Sequence, residues 1–102
     1  MVTTVIGRFR THLEKTVPVF ELFLYGSHAK QKATVWSDID IVVVSSSFEG
    51  LNHRARKHLV NAAKVQAEAW SIQAHVLSVT EWANPPSPFS RKIKTYAIKL
   101  TQ

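Results

Sequence analysis

The chain of 102 residues is long enough for one small domain and too short for two. Its 45% hydrophobic content suits a globular core, and without cysteine it can form neither disulfides nor thiolate metal sites. No apolar run approaches the roughly 20 residues of a membrane span and no signal-peptide pattern is present, so we expect a cytoplasmic protein. The net charge of +6 favours an anionic partner, although a solvated basic surface explains it equally well.

The first half of the chain predicts two helices and two strands. Apolar residues recur in steps of three and four over residues 2–15, which predicts an amphipathic helix that ends before Pro18. The aromatic and aliphatic run at 19–26 predicts a strand, and the polar segment 27–32 predicts a short helix. Residues 38–44 form a second apolar run and predict the second strand.

The second half continues the alternation of helices and strands. Residues 51–70 contain no proline or glycine and predict the longest helix, followed by a third strand at 72–79. A proline-rich loop at 84–88 precedes a helical period at 89–100. This order predicts a single α+β domain spanning 1–102, in which helices cover a small mixed sheet.

Two carboxylates stand on alternate positions of the second strand. Asp38 and Asp40 therefore share a face, opposite Ile39 and Ile41. Carboxylates held this close resist joint ionisation, and a divalent cation such as Mg²⁺ removes that conflict. The alternative is that Asp38 caps a turn while Asp40 lies at a solvated strand end, and D-x-D alone favours this alternative.

A Gly-Ser pair follows the first strand. Gly26 permits a tight turn and close approach of the backbone to a ligand. If a helix starts near Ser27, its free N–H groups and the hydroxyl could bind a phosphate. The alternative is an ordinary turn with Ser27 as N-cap. A phosphate-binding turn beside a metal-binding carboxylate pair would supply the two parts that phosphoryl transfer requires.

Together these residues have the form G-S-x10-D-x-D. This pattern, with Ala29, Ser37 and the apolar run after Asp38, resembles the minimal nucleotidyltransferases of the polymerase β-type superfamily. The resemblance covers nearly the whole chain and implies a nucleotidyltransferase-like fold. It also implies that a nucleoside monophosphate is transferred from ATP or another nucleotide to an acceptor hydroxyl.

The resemblance implies a role for each matching residue. Gly26 and Ser27 would hold the triphosphate, with Ser37 as a further nucleotide-binding residue. Asp38 and Asp40 would bind Mg²⁺ and carry the catalysis. Outside the pattern, the position of Lys30 after the Gly-Ser pair predicts contact with phosphates, with a solvated loop residue as the alternative.

The chain departs from the family pattern at two places. Gln31 stands where the family often has glycine, which makes the loop bulkier. The superfamily generally has a third carboxylate on the third strand, but the strand here contains no acidic residue. Gln73 is the predicted occupant of that position and a weak metal ligand. His75 on the same face could serve as base or ligand, with a histidine bonded at the sheet edge as the alternative.

Three functions therefore stay open. The first is a Mg²⁺-dependent nucleotidyltransferase. The second is a catalytically weak nucleotide-binding module, since family members often pair with a small helical partner protein and some act as antitoxins. The third is an RNA-binding domain, which ranks last because no strand presents interleaved exposed aromatic residues. The sequence also leaves a homodimer open.

Overall fold

A four-stranded sheet carries helices on both faces in the computed structural model, which describes residues 2–101. The helices are α1 (Val2–Leu13), α2 (Gly26–Ala29), α3 (His53–Gln66), α4 (Val79–Ala83) and α5 (Pro88–Lys94), with a 3₁₀ turn at Ser46–Phe48. The strands are β1 (Glu21–Tyr25), β2 (Ile39–Val44), β3 (Ile72–Leu77) and β4 (Ile98–Leu100).

The sheet is mixed, with the strand order β3-β2-β1-β4. Strand β1 pairs antiparallel with both β2 and β4, whereas β3 runs parallel to β2. The parallel pair requires a crossover connection, and α3 supplies it. The predicted α+β class, with a small mixed sheet covered by helices, is therefore confirmed. No helix within residues 2–101 is long and apolar enough to cross a membrane.

The larger core lies between the sheet and the helices α1 and α3. Helix α1 buries Ile6, Phe9 and Leu13, whose spacing of three and four places them on one face. Helix α3 contributes Val60 and Ala63. The strands contribute the side chains on the sheet face opposite Asp40, namely Leu22, Ile39, Ile41, Val43, Ile72 and Val76. Alternation along β2 thus directs its isoleucines inward and leaves Asp40 on the other face.

A smaller core occupies the Asp40 face farther along the strands. Val42, Val44 and Leu77 pack there against Ile93 of α5. Trp82 of α4 covers the edge of this cluster and stacks on Phe23 with ring centroids 4.8 Å apart. Asp40, on the same face near the beginning of β2, is only half-buried, whereas Val42 and Val44 are fully buried.

Helix α3 is shorter than the predicted helix at 51–70. It ends at Gln66, and Glu68 adopts φ +52°. The N–H of Ala69 donates to the Lys64 carbonyl at 3.0 Å, and that of Glu68 donates to the Val65 carbonyl at 3.1 Å. This is the Schellman arrangement, which normally uses glycine at the left-handed position. Without glycine, the sequence carried no signal of the helix end.

The C-terminal prediction was wrong in its second half. The predicted helix at 89–100 ends at Lys94, and Ile98–Leu100 forms β4 instead. Leu100 pairs with Leu22 and Ile98 with Leu24. The spacing of Ala97 and Leu100 suits a helix locally, but pairing with the edge of β1 satisfies the backbone better.

The third strand is also shorter than predicted, because α4 begins at Val79. Ser78 and Glu81 form a capping box in which each side chain accepts the backbone N–H of the other residue. Glu81 therefore caps the turn that follows the third strand. Arg56 of α3 is only 8% exposed and forms an ion pair with Glu81.

Candidate active site

The two aspartates lie at the beginning of β2. Asp40 pairs with Tyr25 of β1 on one side and Gln73 of β3 on the other, while Asp38 is exposed and precedes the strand. Burial raises the pKa of the Asp40 carboxyl, the charge of Asp38 raises it further, and His28 partly opposes both effects. The mutual repulsion expected from the D-x-D spacing is therefore present.

Gly26 touches Asp40 directly. Its φ is +72°, and a Cβ added there would lie 2.2 Å from Oδ2 of Asp40. Any side chain would both strain the backbone and collide with the carboxylate. Glycine is thus required because the Gly-Ser turn packs against the carboxylate that begins the second strand.

Ser27 does not cap the helix. Helix α2 begins at Gly26, so the N-cap position belongs to Tyr25, whose side chain makes no capping hydrogen bond. Ser27 lies within the first turn of α2. The N-cap explanation for this serine does not apply, and a role toward a ligand stays a prediction.

Helix α2 ends through Gln31, which adopts φ +58°. The N–H of Gln31 donates to the His28 carbonyl at 3.3 Å, and that of Lys32 donates to the Ser27 carbonyl at 2.9 Å. The second Schellman arrangement of this chain therefore also lacks glycine. Because this position needs a left-handed backbone, glycine suits it, and glycine is often found there in the family that the sequence resembles.

Lys30 and Ser37 lie on either side of this loop. The Lys30 ammonium stands 4.7 Å from the centroid of the Tyr96 ring. The Ser37 hydroxyl accepts the N–H of Thr34 at 2.9 Å and so closes the turn before Asp38. Ser37 also lines a mostly apolar cavity of about 610 Å³, together with His28. Its hydroxyl thus shapes the loop, and contact with a nucleotide stays a prediction.

Gln73 occupies the position next to the carboxylate pair. The parallel register pairs it with Asp40, so the two side chains emerge on the same face. Gln73 is exposed, which leaves its amide free to reach a ligand at this face. The position predicted for a third carboxylate thus holds a neutral amide.

His75 lies one same-face step deeper, beside Val42. Its ring meets Phe89 edge to face at 5.5 Å, and its Nε2 is buried without a hydrogen-bond partner. Burial lowers the pKa of His75, His53 and Lys57 lower it further, and Glu81 opposes them. The imidazole is therefore held neutral. Its displacement along the strand, about 6.7 Å for two residues, separates it from Asp40.

These residues fit a divalent cation bound mainly by two carboxylates. Burial and the charge of Asp38 both raise the pKa of Asp40, and a divalent cation bound by the two carboxylates would offset that repulsion. Among residues 2–101, no three histidine or acidic side chains converge as a metal-binding set. A cation held by Asp38 and Asp40 would complete its oxygen shell with water, phosphate and the Gln73 amide, which suits Mg²⁺.

Two tyrosines at this site were missed at the level of sequence. Tyr25 has its pKa raised to about 12 by burial, Asp40 and Tyr96, so its phenol stays protonated. Tyr96 accepts the N–H of Gly26 at 3.1 Å, across 70 residues of chain. The position of Tyr25 directly before Gly26 could have indicated that it lies at the site. Tyr96 gave none, because its contact depends on the tertiary fold.

Known proteins resemble this chain in sequence and in fold. Over 90 residues the chain is 29% identical to a Haemophilus influenzae protein assigned as the protein adenylyltransferase MntA, covering 87% of this chain and 73% of that protein. A crystal structure assigned to a nucleotidyltransferase of Sulfolobus solfataricus superposes with a TM-score of 0.65 at 18% identity, covering 96% of this chain and 83% of the other. A second crystal structure with the same assignment reaches 0.67 at 23% identity, with 94% and 97% coverage. The nucleotidyltransferase domain family matches residues 6–99, and the chain belongs to that family.

Proposed function

We propose that this chain transfers a nucleoside monophosphate from ATP to a hydroxyl acceptor on a partner protein, with Mg²⁺ as cofactor. The observation that carries the proposal is the contact between Gly26 and Asp40, which is so close that a Cβ on Gly26 would collide with the Asp40 carboxylate. Phosphates bound at this turn would lie beside the carboxylate pair, and these are the two parts that phosphoryl transfer requires. The assignment of the Haemophilus relative as a protein adenylyltransferase supports ATP and a protein acceptor.

Each residue has a defined part in this reaction. The acceptor oxygen attacks the α-phosphorus, the bond to the β-phosphate breaks, and pyrophosphate leaves. Gly26 and Ser27 would hold the leaving phosphates, while Asp38 and Asp40 would hold the cation. When bound, Mg²⁺ supplies charge neutralisation on the phosphates.

The acceptor proton passes to water, because Asp38 and Asp40 are both engaged as ligands of the cation. His75 is less suited to this step because it pairs with Val42, two residues farther along the strand than Asp40. A neutral Gln73 cannot take the proton either. The reaction is therefore expected to be slow.

The neutral amide beside Asp40 also favours a second function. A site with two carboxylates can bind nucleotide while turning over little, so the chain could act mainly as a binding module for a small helical partner. This is the antitoxin-type role. The net charge of +6 suits an acidic surface on such a partner.

The experiment is a calorimetric titration of Mg²⁺-ATP into wild type and into the double variant Asp38→Asn, Asp40→Asn. These substitutions keep the shape and remove both charges. We expect saturable, Mg²⁺-dependent binding to wild type and a loss of at least about 100-fold in affinity in the variant. Glu68→Gln, an exposed carboxylate beyond α3, is the matched control and should bind like wild type. Equal affinity in the double variant contradicts the proposal.

Transfer itself is measured with ATP labelled on the α-phosphate or on the γ-phosphate. Nucleotidyl transfer moves only the α-label to the acceptor protein and releases pyrophosphate. If a co-expressed partner co-purifies with the double variant and wild type transfers no label, the binding-module function is the correct one.

A further inference from the structure

Tyr96 connects the far end of the chain to the Gly-Ser turn. It lies half-buried in the turn between α5 and β4, where its N–H donates to the Ile93 carbonyl at 3.1 Å. Its hydroxyl accepts the N–H of Gly26 at 3.1 Å. A partly buried backbone N–H needs a partner, so this bond fixes the amide that begins the turn.

The same side chain also holds Lys30. The Lys30 ammonium lies 4.7 Å from the Tyr96 ring centroid, within the range of a cation–π contact. Lys30 is the C-cap of α2 and Gly26 its first residue. One aromatic side chain therefore contacts both ends of α2, through its hydroxyl at one end and its ring face at the other.

Gly26 is thus held from two directions. The Asp40 carboxylate occupies the space beside its Cα, and the Tyr96 hydroxyl occupies its N–H. The bond to Tyr96 also occupies that N–H. Gly26 therefore contributes close approach of the backbone to the phosphates, and Ser27 and Lys30 supply the groups that bind them. A lysine already ordered before binding loses less side-chain freedom when a phosphate arrives.

We propose that Tyr96 is a positioning residue for the β- and γ-phosphates of the nucleotide, acting through Gly26 and Lys30. The inference rests on the proposed function, since it specifies which part of the nucleotide the turn recognises. It assigns to the α5–β4 turn a role in binding that no pattern in the sequence indicates. The α-phosphate, by contrast, depends on Asp38 and Asp40.

The test compares ATP with AMP, which lacks the two outer phosphates. Tyr96→Phe keeps the ring and removes the hydroxyl, and we expect it to weaken Mg²⁺-ATP binding about fivefold. AMP affinity should change by less than about twofold, because AMP does not reach the positioned groups. A merely structural tyrosine would weaken both nucleotides alike.

A second pair of variants tests the contact with the ring. Lys30→Met should lower the affinity for Mg²⁺-ATP about tenfold in the wild-type background. In the Tyr96→Leu background the loss should be clearly smaller, because the lysine no longer contacts an aromatic ring. Lys92→Met, an exposed lysine of α5, is the charge-matched control and should change neither affinity. If Tyr96→Leu does not fold, Tyr96→Phe still decides the question.

The outcomes separate the two proposals. If wild type does not bind Mg²⁺-ATP, the proposed function fails and this inference fails with it. If wild type binds and Tyr96→Phe binds ATP equally well, or loses ATP and AMP affinity in the same ratio, only the positioning role is overturned. A loss confined to ATP supports it.

Discussion

Replacing Gln73 by Glu places a third carboxylate beside Asp40 with almost no change in shape. Neighbouring strands are about 4.8 Å apart, so the new charge lies roughly 5 Å from Asp40. Two such charges repel by about 0.8 kcal/mol in water and by about 3 kcal/mol at an effective dielectric constant near 20. Since Asp40 is half-buried, the metal-free variant should lose about 1–3 kcal/mol of stability at neutral pH.

Magnesium should reverse this loss. Its binding stabilises the folded state by RT ln(1 + [Mg²⁺]/Kd), about 2.7 kcal/mol at 100 times Kd, and a third carboxylate lowers Kd. We expect the melting temperature of Gln73→Glu to fall by at least about 4 °C without metal and to rise more than that of wild type as Mg²⁺ is added. Mg²⁺-dependent nucleotidyl transfer should increase about tenfold or more.

The assay is thermal unfolding followed by circular dichroism across a Mg²⁺ titration, with α-labelled ATP for activity. Gln66→Glu is the matched control, since Gln66 is an exposed glutamine at the end of α3 and should show neither effect. If Gln73→Glu melts at the wild-type temperature without metal and responds to Mg²⁺ no more than wild type, Gln73 does not face the aspartate pair.

Two further predictions concern stability. Gln31→Gly should stabilise the protein by about 0.5–1 kcal/mol, because glycine adopts φ +58° without steric strain. Gln31→Ala keeps a Cβ and should not increase stability. Equal urea midpoints for the two variants would contradict this account. Glu81→Gln should cost about 1–2 kcal/mol at neutral pH by breaking the pair with Arg56. That hydrogen bond lowers the pKa of Glu81 below 4.5, so the stabilisation is complete above this pH and is lost as the pH falls. Wild type should therefore lose stability more steeply than Glu81→Gln between about pH 5 and pH 3. If urea unfolding shows the same pH dependence for both proteins, the assignment is refuted.

Local pattern sufficed for most of the fold and for the position of the carboxylates. The alternation along residues 38–44 placed Asp38 and Asp40 on one face because strand side chains alternate whatever the strand pairs with. The helical period of α1 likewise predicted its buried face. The ends of α2 and α3 were less visible, because Gln31 and Glu68 occupy left-handed positions where a glycine would have marked them.

The sequence by itself therefore determined the helix and strand alternation, the family pattern around Gly26 and Asp40, and the lack of an acidic residue on the third strand. Only the tertiary structure decided that residues 98–100 pair with β1 and that Tyr96 reaches Gly26, and it supplied the strand register that places Gln73 beside Asp40. The physical reason is the sequence separation over which each kind of interaction acts. Periodicity and turn chemistry act over a few residues, whereas strand register and the Tyr96 contact join segments far apart in sequence whose relative position depends on how the core packs.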